Sequence, residues 1–227
     1  MYNKSSITKK LRFLILLLLI PAFSTLSAQT TMGDTSPSLP DFHTGDLLFI
    51  SDTTGMGSAI EQSTGHYTHV AIVVRENNCC MVYEALPKKG VIKTEYRQWK
   101  KALYQDFSIT TTHLSKYITC RRSTLPFDTL RLMDKLNEYL GLPYDEYFLP
   151  NNGRMYCSEL VYNCFYNEQG TTIFRAKPMN FKSSDGAFPL YWQQHFQQLG
   201  VEIPQGVLGT NPNDQYNSPF LQNIELP

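Results

Sequence analysis

Apolar residues follow two rhythms along the chain. In the first half they come as short runs of β-branched and aromatic residues between polar turns, and in the second half they recur every three to four residues. The first rhythm predicts strands and the second amphipathic helices. In TGDLLFIS a Gly-Asp turn precedes a strand over residues 47–50. A short helix is predicted over MGSAIEQST, and HYTHVAIVV leads into a buried strand whose residues 70–74 are β-branched apart from Ala71. NNCC is expected to turn, MVYEAL to form a second strand in this stretch, KKGVIKT a third entered through Gly90, and YITCRR a further one near 117–122. Between Pro126 and Leu140 the positions Leu132, Leu136, Tyr139 and Leu140 share one helix face, which Gly141 ends. Helices are also expected from Cys157 and over residues 190–199. The segment GVLGTNPNDQYNSPFLQNIELP holds so much Gly, Pro and Asn that it is expected to wrap the surface without regular structure. Strands early and helices late predict an α+β domain with an antiparallel sheet. No internal repeat is present.

The first residues break this pattern. Lys4, Lys9 and Lys10 precede an apolar stretch over residues 11–20 that Arg12 opens, Pro21 interrupts it, and small residues follow to Ala28. This is the arrangement of a secretory signal peptide, expected over residues 1–28. An uncleaved anchor is the alternative, against which the run is short of the ~20 residues a bilayer span needs. Residues 29–41 are polar and rich in Ser, Thr and Pro, which predicts a flexible lead-in. Residues 42–227 are then expected to form a single domain. About 199 of the 227 residues would remain after cleavage, enough for one sizeable core. The expected location is outside the cytoplasm, periplasmic or extracellular, with no stable membrane insertion once the leader is removed.

Charge and cysteine content narrow the functional classes. The formal charge is zero, and losing the four basic residues of the leader takes the remainder to about −4. No basic surface for nucleic acid is implied. Five cysteines in a compartment that permits disulfides leave at least one thiol free or paired between chains. Cys79 and Cys80 are adjacent and Cys120 is isolated, with no CxxC or Cys/His spacing of a zinc site.

The candidate chemistry begins at RMYCSELVYNCF. Cys157, Leu160, Val161, Cys164 and Phe165 recur at helical spacing, so Cys157 stands both at a helix N-terminus and on its apolar face. A thiol attacks as the thiolate, and a helix N-terminus together with an imidazole can generate one. Of the five histidines, His43 lies near the lead-in, His113 in a Thr-rich stretch and His195 in an amphipathic helix where a structural role is the default. His66 and His69 flank the buried strand, and His69, which opens the apolar run, is the better base; a structural histidine is the alternative. Glu84 alternates with Val82 and Leu86 on one face of its strand, and a carboxylate there is costly unless paired. If the two strands are neighbours, Glu84 can orient the imidazole; otherwise it is a sheet-edge glutamate in water. Glu159 is turned by about 200° from Cys157 and is expected to support the helix start instead. Ser158 lacks a GxSxG elbow, and no GxGxxG or P-loop is present, so no nucleotide cofactor is expected. His66 and His69 as a metal pair would need ligands that the sequence does not supply. No cofactor and no metal is therefore expected.

In order, GDLLFI, SAIEQSTGHYTHVAIVV, VYEA, GLPYDEYF, MYCSELVYNCF and GTNPNDQYNSP resemble the YiiX/YaeF-like permuted papain-fold amidases, relatives of the NlpC/P60 cell-wall peptidases and of lecithin:retinol acyltransferase. The resemblance covers nearly all of the chain after residue 41, and its most specific parts are YCSEL and THVAIVV. It implies a circularly permuted papain-like fold, with an antiparallel sheet or small barrel packed against the cysteine helix. It implies Cys157 as nucleophile, His69 as general base, Glu84 as orienting residue and Tyr144 near the oxyanion, with a structural role for Asp46. Ala71 stands where relatives often have glycine. The implied activity is a secreted cysteine amidase or peptidase acting on a small peptide, amino-acyl or N-acyl substrate such as a cell-wall fragment. Lipid amide or ester hydrolysis, acyl transfer, and a pocket that binds without turnover are the alternatives.

Overall fold

The computed structural model describes residues 40–106 and 117–226. The expected leader, most of the expected lead-in and His113 lie outside them. The strands are β1 (Asp46–Ile50), β2 (His69–Glu76), β3 (Cys79–Leu86), β4 (Gly90–Glu95), β5 (Ile118–Ser123), β6 (Lys177–Pro178), β7 (Leu208–Gly209) and β8 (Leu221–Ile224). The helices are α1 (Gly55–Thr64), α2 (Tyr96–Asp106), α3 (Thr129–Tyr139), α4 (Cys157–Cys164), α5 (Leu190–Leu199) and α6 (Pro212–Tyr216).

Six strands form one antiparallel sheet in the order β4-β3-β2-β1-β5-β8, and β6 pairs with β7 apart from it. The expected α+β class with an antiparallel sheet is what the chain adopts. All five residues of β1 are buried, because the sheet is covered on both faces. Leu47, Phe49, Val70, Ile72, Val74, Tyr83 and Ala85 face a core completed by α3, α4 and α5. Leu48, Ile50, Ala71, Val73 and Val82 face a second core with Phe42, Tyr96, Trp99 and Leu103. Two covered faces explain why β1 and β2 read as unbroken apolar runs. Each fully buried large side chain contributes about 1.5–3 kcal/mol to this packing.

Two expectations are corrected and one helix is added. Only Asn77 and Asn78 form the β2–β3 turn, with Asn77 at φ 53°, whereas Cys79 and Cys80 already pair with Glu76 and Arg75. The sequence reading also missed α2, although Tyr96, Trp99 and Leu103 recur at helical spacing and bury one face against the second core. The C-terminal segment is not irregular: it holds β7, α6 and β8, and β8 extends the sheet beside β5. The helix expected between Pro126 and Leu140 starts at Thr129, where Asp128 caps it by accepting the Arg131 N–H.

Gly90 connects this framework to the site. Its φ is +73°, and any Cβ there would collide with the Leu142 carbonyl oxygen. That close approach lets Val91 N–H donate to the Leu142 carbonyl at 2.8 Å and Gly141 N–H to the Val91 carbonyl at 2.9 Å. The loop carrying Tyr144 is thereby fixed to the sheet.

Candidate active site

Cys157 is the first residue of α4, so its N–H is among those a helix leaves without an intrahelical acceptor. Tyr156, the preceding cap residue, is extended at φ −99° and ψ 169° and supplies no side-chain cap. The segment before it is held by a small parallel bridge, with Met155 N–H donating to the Pro143 carbonyl at 3.0 Å and Asp145 N–H to the Met155 carbonyl at 3.1 Å. Tyr144 and Cys157 are thus positioned by the same pair of strand-like segments. Cys157 is 5% exposed and packs with the core below α4.

His69 opens β2 at the end of the sheet. Ile72 pairs with Tyr83, so continuing the register sets Glu84 opposite Ala71 and diagonal to His69 on the same face. His69 Nε2 lies 2.8 Å from Glu84 Oε2, with the carboxylate almost entirely removed from water. The carboxylate is therefore paired, as its place on an apolar face demands. Burial acts on the imidazole to lower its pKa, but the negative charge of Cys157, a side-chain hydrogen bond with Cys157, and the hydrogen bond and charge of Glu84 outweigh it and raise the value from 6.5 to about 10. The sequence-predicted trio of Cys157, His69 and Glu84 is brought together, and all three line one cavity of about 290 Å³.

Tyr144 borders the same cavity. Burial and the charge of Cys157 push its hydroxyl pKa well above 10, so it keeps its proton. That hydroxyl donates to Met56 Sδ at 3.7 Å, a weak acceptor from which a stronger one would draw it. Asp46 is fully buried and accepts from Arg122 at 2.6 and 2.8 Å and from the His43 N–H at 2.8 Å, a structural junction between β1 and β5. His195 Nε2 lies 2.8 Å from the Glu146 carbonyl oxygen, which fits the structural role expected for it. His66 stacks edge-on against Tyr67. Cys164 is completely buried, and burial pushes its thiol pKa far up.

Two features escaped the sequence reading. Glu159 does hold the helix start by accepting from the Tyr156 N–H, but it is buried, and burial together with the Asp145 charge raises its pKa from 4.5 to about 8. The second is α6, which ties both halves of the site together. Asn213 accepts the Tyr67 N–H at 3.0 Å and donates to the Tyr67 carbonyl at 2.7 Å, two residues before His69. Gln215 donates to the Ser158 carbonyl at 2.7 Å, one residue after Cys157. The signal was present in NPND: Asn211 caps α6 by accepting from the Asp214 N–H, with Pro212 at its first position.

The model of the family described as permuted papain-like amidase enzyme, YaeF/YiiX, C92 family, matches residues 41–225. The uncharacterized protein YiiX of Escherichia coli (strain K12) is 27% identical over 195 residues, covering 82% of this chain and 90% of that protein. A crystal structure of yiiX from Escherichia coli O157:H7, described as a metalloprotein, superimposes with a TM-score of 0.63 at 25% identity, over 81% of this chain and 96% of the other.

Proposed function

This chain belongs to the YaeF/YiiX permuted papain-like amidases of the C92 family, and from that premise we propose that it hydrolyses small peptide or N-acyl amides through Cys157, His69 and Glu84. That it is a cysteine amidase or peptidase follows from the family; the residue roles and the substrate are our reading. The observation that carries the roles is the 2.8 Å contact between His69 and Glu84 on an imidazole that also feels the Cys157 charge.

In this reading the Cys157 thiolate attacks the amide carbonyl carbon, and the carbonyl oxygen becomes an oxyanion facing the Cys157 N–H and the Tyr144 hydroxyl. His69 then gives its proton to the departing amine as the C–N bond breaks, leaving a thioester on sulfur. Water takes the place of the amine, His69 accepts its proton, and collapse of the second tetrahedral intermediate releases the acid and restores the thiolate. Glu84 keeps the ring oriented and favours its cationic form. No step is routed through a metal, since among the described residues no group of three His, Cys, Asp or Glu side chains is arranged to hold one. The basic leader followed by an apolar run supports export, which cell fractionation with an N-terminal sequence of the mature chain tests.

Cys79 is exposed, so the chemical test is made in a Cys79→Ser background. Iodoacetamide should label Cys157 and not Cys164, and His69→Ala should slow that labelling by at least tenfold. Mass spectrometry of mixed muropeptides and N-acyl amino acids incubated with the protein should show release of a free amine. Equal slow labelling of Cys157 and Cys164 would remove the proposed roles. Tyr144→Phe should lower kcat by about 10²-fold with little change in KM, the signature of a lost oxyanion donor.

A further inference from the structure

A hollow of about 370 Å³ opens among β6, α6 and the turn that leads into β8. Neither Cys157, His69 nor Glu84 lines it, and the proposed reaction makes no use of it. Its charges are unevenly matched. Lys177 Nζ donates to Asp214 Oδ1 at 2.8 Å, and the Asn211 side-chain amide donates to Asp214 Oδ2 at 3.0 Å, so the lysine and the carboxylate satisfy each other. Arg175 is exposed and has neither a hydrogen bond nor an ion pair among the described residues. The wall therefore keeps one positive charge without a counter-charge. Beside it stand Phe174, which is buried, and Phe220, which is 39% exposed.

This combination selects a ligand. A guanidinium presents a planar fork of N–H donors that a carboxylate meets with both oxygens. A phosphate dianion would bring a second negative charge next to Asp214 with no cation left to match it. The aromatic wall takes an apolar body, and the volume lies in the range of small-molecule sites. We infer that the hollow is a second ligand site, for a small apolar monocarboxylic acid, and that its occupancy is felt at Cys157 through Gln215.

Gln215 makes that connection because it belongs to both places. It lines the hollow, is 2% exposed, and its Nε2 donates to the Ser158 carbonyl at 2.7 Å, one residue after Cys157. Its Oε1 has no hydrogen-bond partner among the described residues, so a single bond fixes the amide. Thr210 also lines the hollow, and its hydroxyl donates to Ser158 Oγ at 3.2 Å. An acid packed against this wall restricts Gln215 and binds best when the Ser158 carbonyl is held. A ligand shifts an equilibrium by its differential affinity for the two states. The start of α4 is then in place for more of the time, and Cys157 reacts faster.

The site itself assumes nothing about the reaction, and its test begins with binding. In isothermal titration calorimetry, 3-phenylpropionate should bind saturably with a Kd of about 1 mM or tighter. Arg175→Ala should weaken binding about tenfold or more, and so should exchanging the acid for the neutral alcohol 3-phenylpropanol, which leaves the protein untouched. His69→Ala should leave the affinity unchanged, because His69 lines the other cavity. With the acid at saturation, iodoacetamide labelling of Cys157 in the Cys79→Ser background should quicken about threefold, and Arg175→Ala should abolish that response. Binding that never saturates, equal affinity for acid and alcohol, or tighter binding of inorganic phosphate overturns the inference. So does binding that His69→Ala removes and Arg175→Ala spares, or a labelling rate that the bound acid does not move. Labelling of Cys157 that is indifferent to His69→Ala would instead sink the catalytic roles and leave this site standing, so the two failures are told apart.

Discussion

His69 carries a strong pH signature. Its proton is held to about pH 10 against burial, which acts to lower the value, and the largest influence in the raising direction is the Cys157 charge. Replacing the sulfur by oxygen in Cys157→Ser removes that charge, so the imidazole should titrate lower than in the wild type, as NMR of the ring protons would read directly. The linkage sign follows. An unfolded chain releases this proton at about 6.5 and the folded one at about 10, so the stabilisation is whole below 6.5, declines as pH rises and is gone above 10. The urea midpoint should fall across that window more steeply in the wild type than in Cys157→Ser. Glu159 makes a second case. One of its oxygens has no hydrogen-bond partner among the described residues. Folding holds its proton up to about pH 8 against 4.5 ordinarily, so stability decreases as pH rises between those values. Glu159→Gln should be nearly neutral at pH 4 and stabilising by about 1–3 kcal/mol at pH 9, as denaturant unfolding at the two pH values would show.

At the scale of elements, α6 matters out of proportion to its five residues. Asn213 and Gln215 hold the approach to His69 and the exit from Cys157 to one rigid turn, so the relative position of base and sulfur depends on it. Asn213→Ala leaves the Tyr67 N–H and carbonyl without their partner and should cost about 1–3 kcal/mol. It should also slow iodoacetamide labelling of Cys157 at temperatures where the fold is intact, whereas a purely structural loss would leave that rate unchanged below the transition. What was legible in the sequence tracks the range of the interactions involved. The β1 to β5 strands, α4 and the pairing of His69 with Glu84 could be read because alternation and a short hairpin fix them locally. β8 could not: its partner β5 lies about a hundred residues earlier, and no local rhythm announces a long-range pairing. α6 is too short for periodicity and is announced only by its cap.

For the whole molecule, the sheet buried on both faces and the free thiols describe a fold held without disulfides. All five cysteines are free. Burial raises the Cys120 thiol pKa to about 12 and holds it unreactive. The thermal midpoint should therefore be unchanged by dithiothreitol, and intact mass after exhaustive alkylation of the denatured chain without reductant should show five added groups. A fall in the midpoint on reduction would reveal a covalent link that this fold does not contain.

Chain order gives α6 a consequence for folding. The imidazole emerges first, the carboxylate soon after, the sulfur much later, and the turn that disciplines them later still. If Cys157, His69 and Glu84 act as proposed, a polypeptide that already contains all three should remain chemically quiet until residues 211–217 have joined the fold. A version ended after Thr210 should be inert, and adding the missing piece as a synthetic peptide should awaken it.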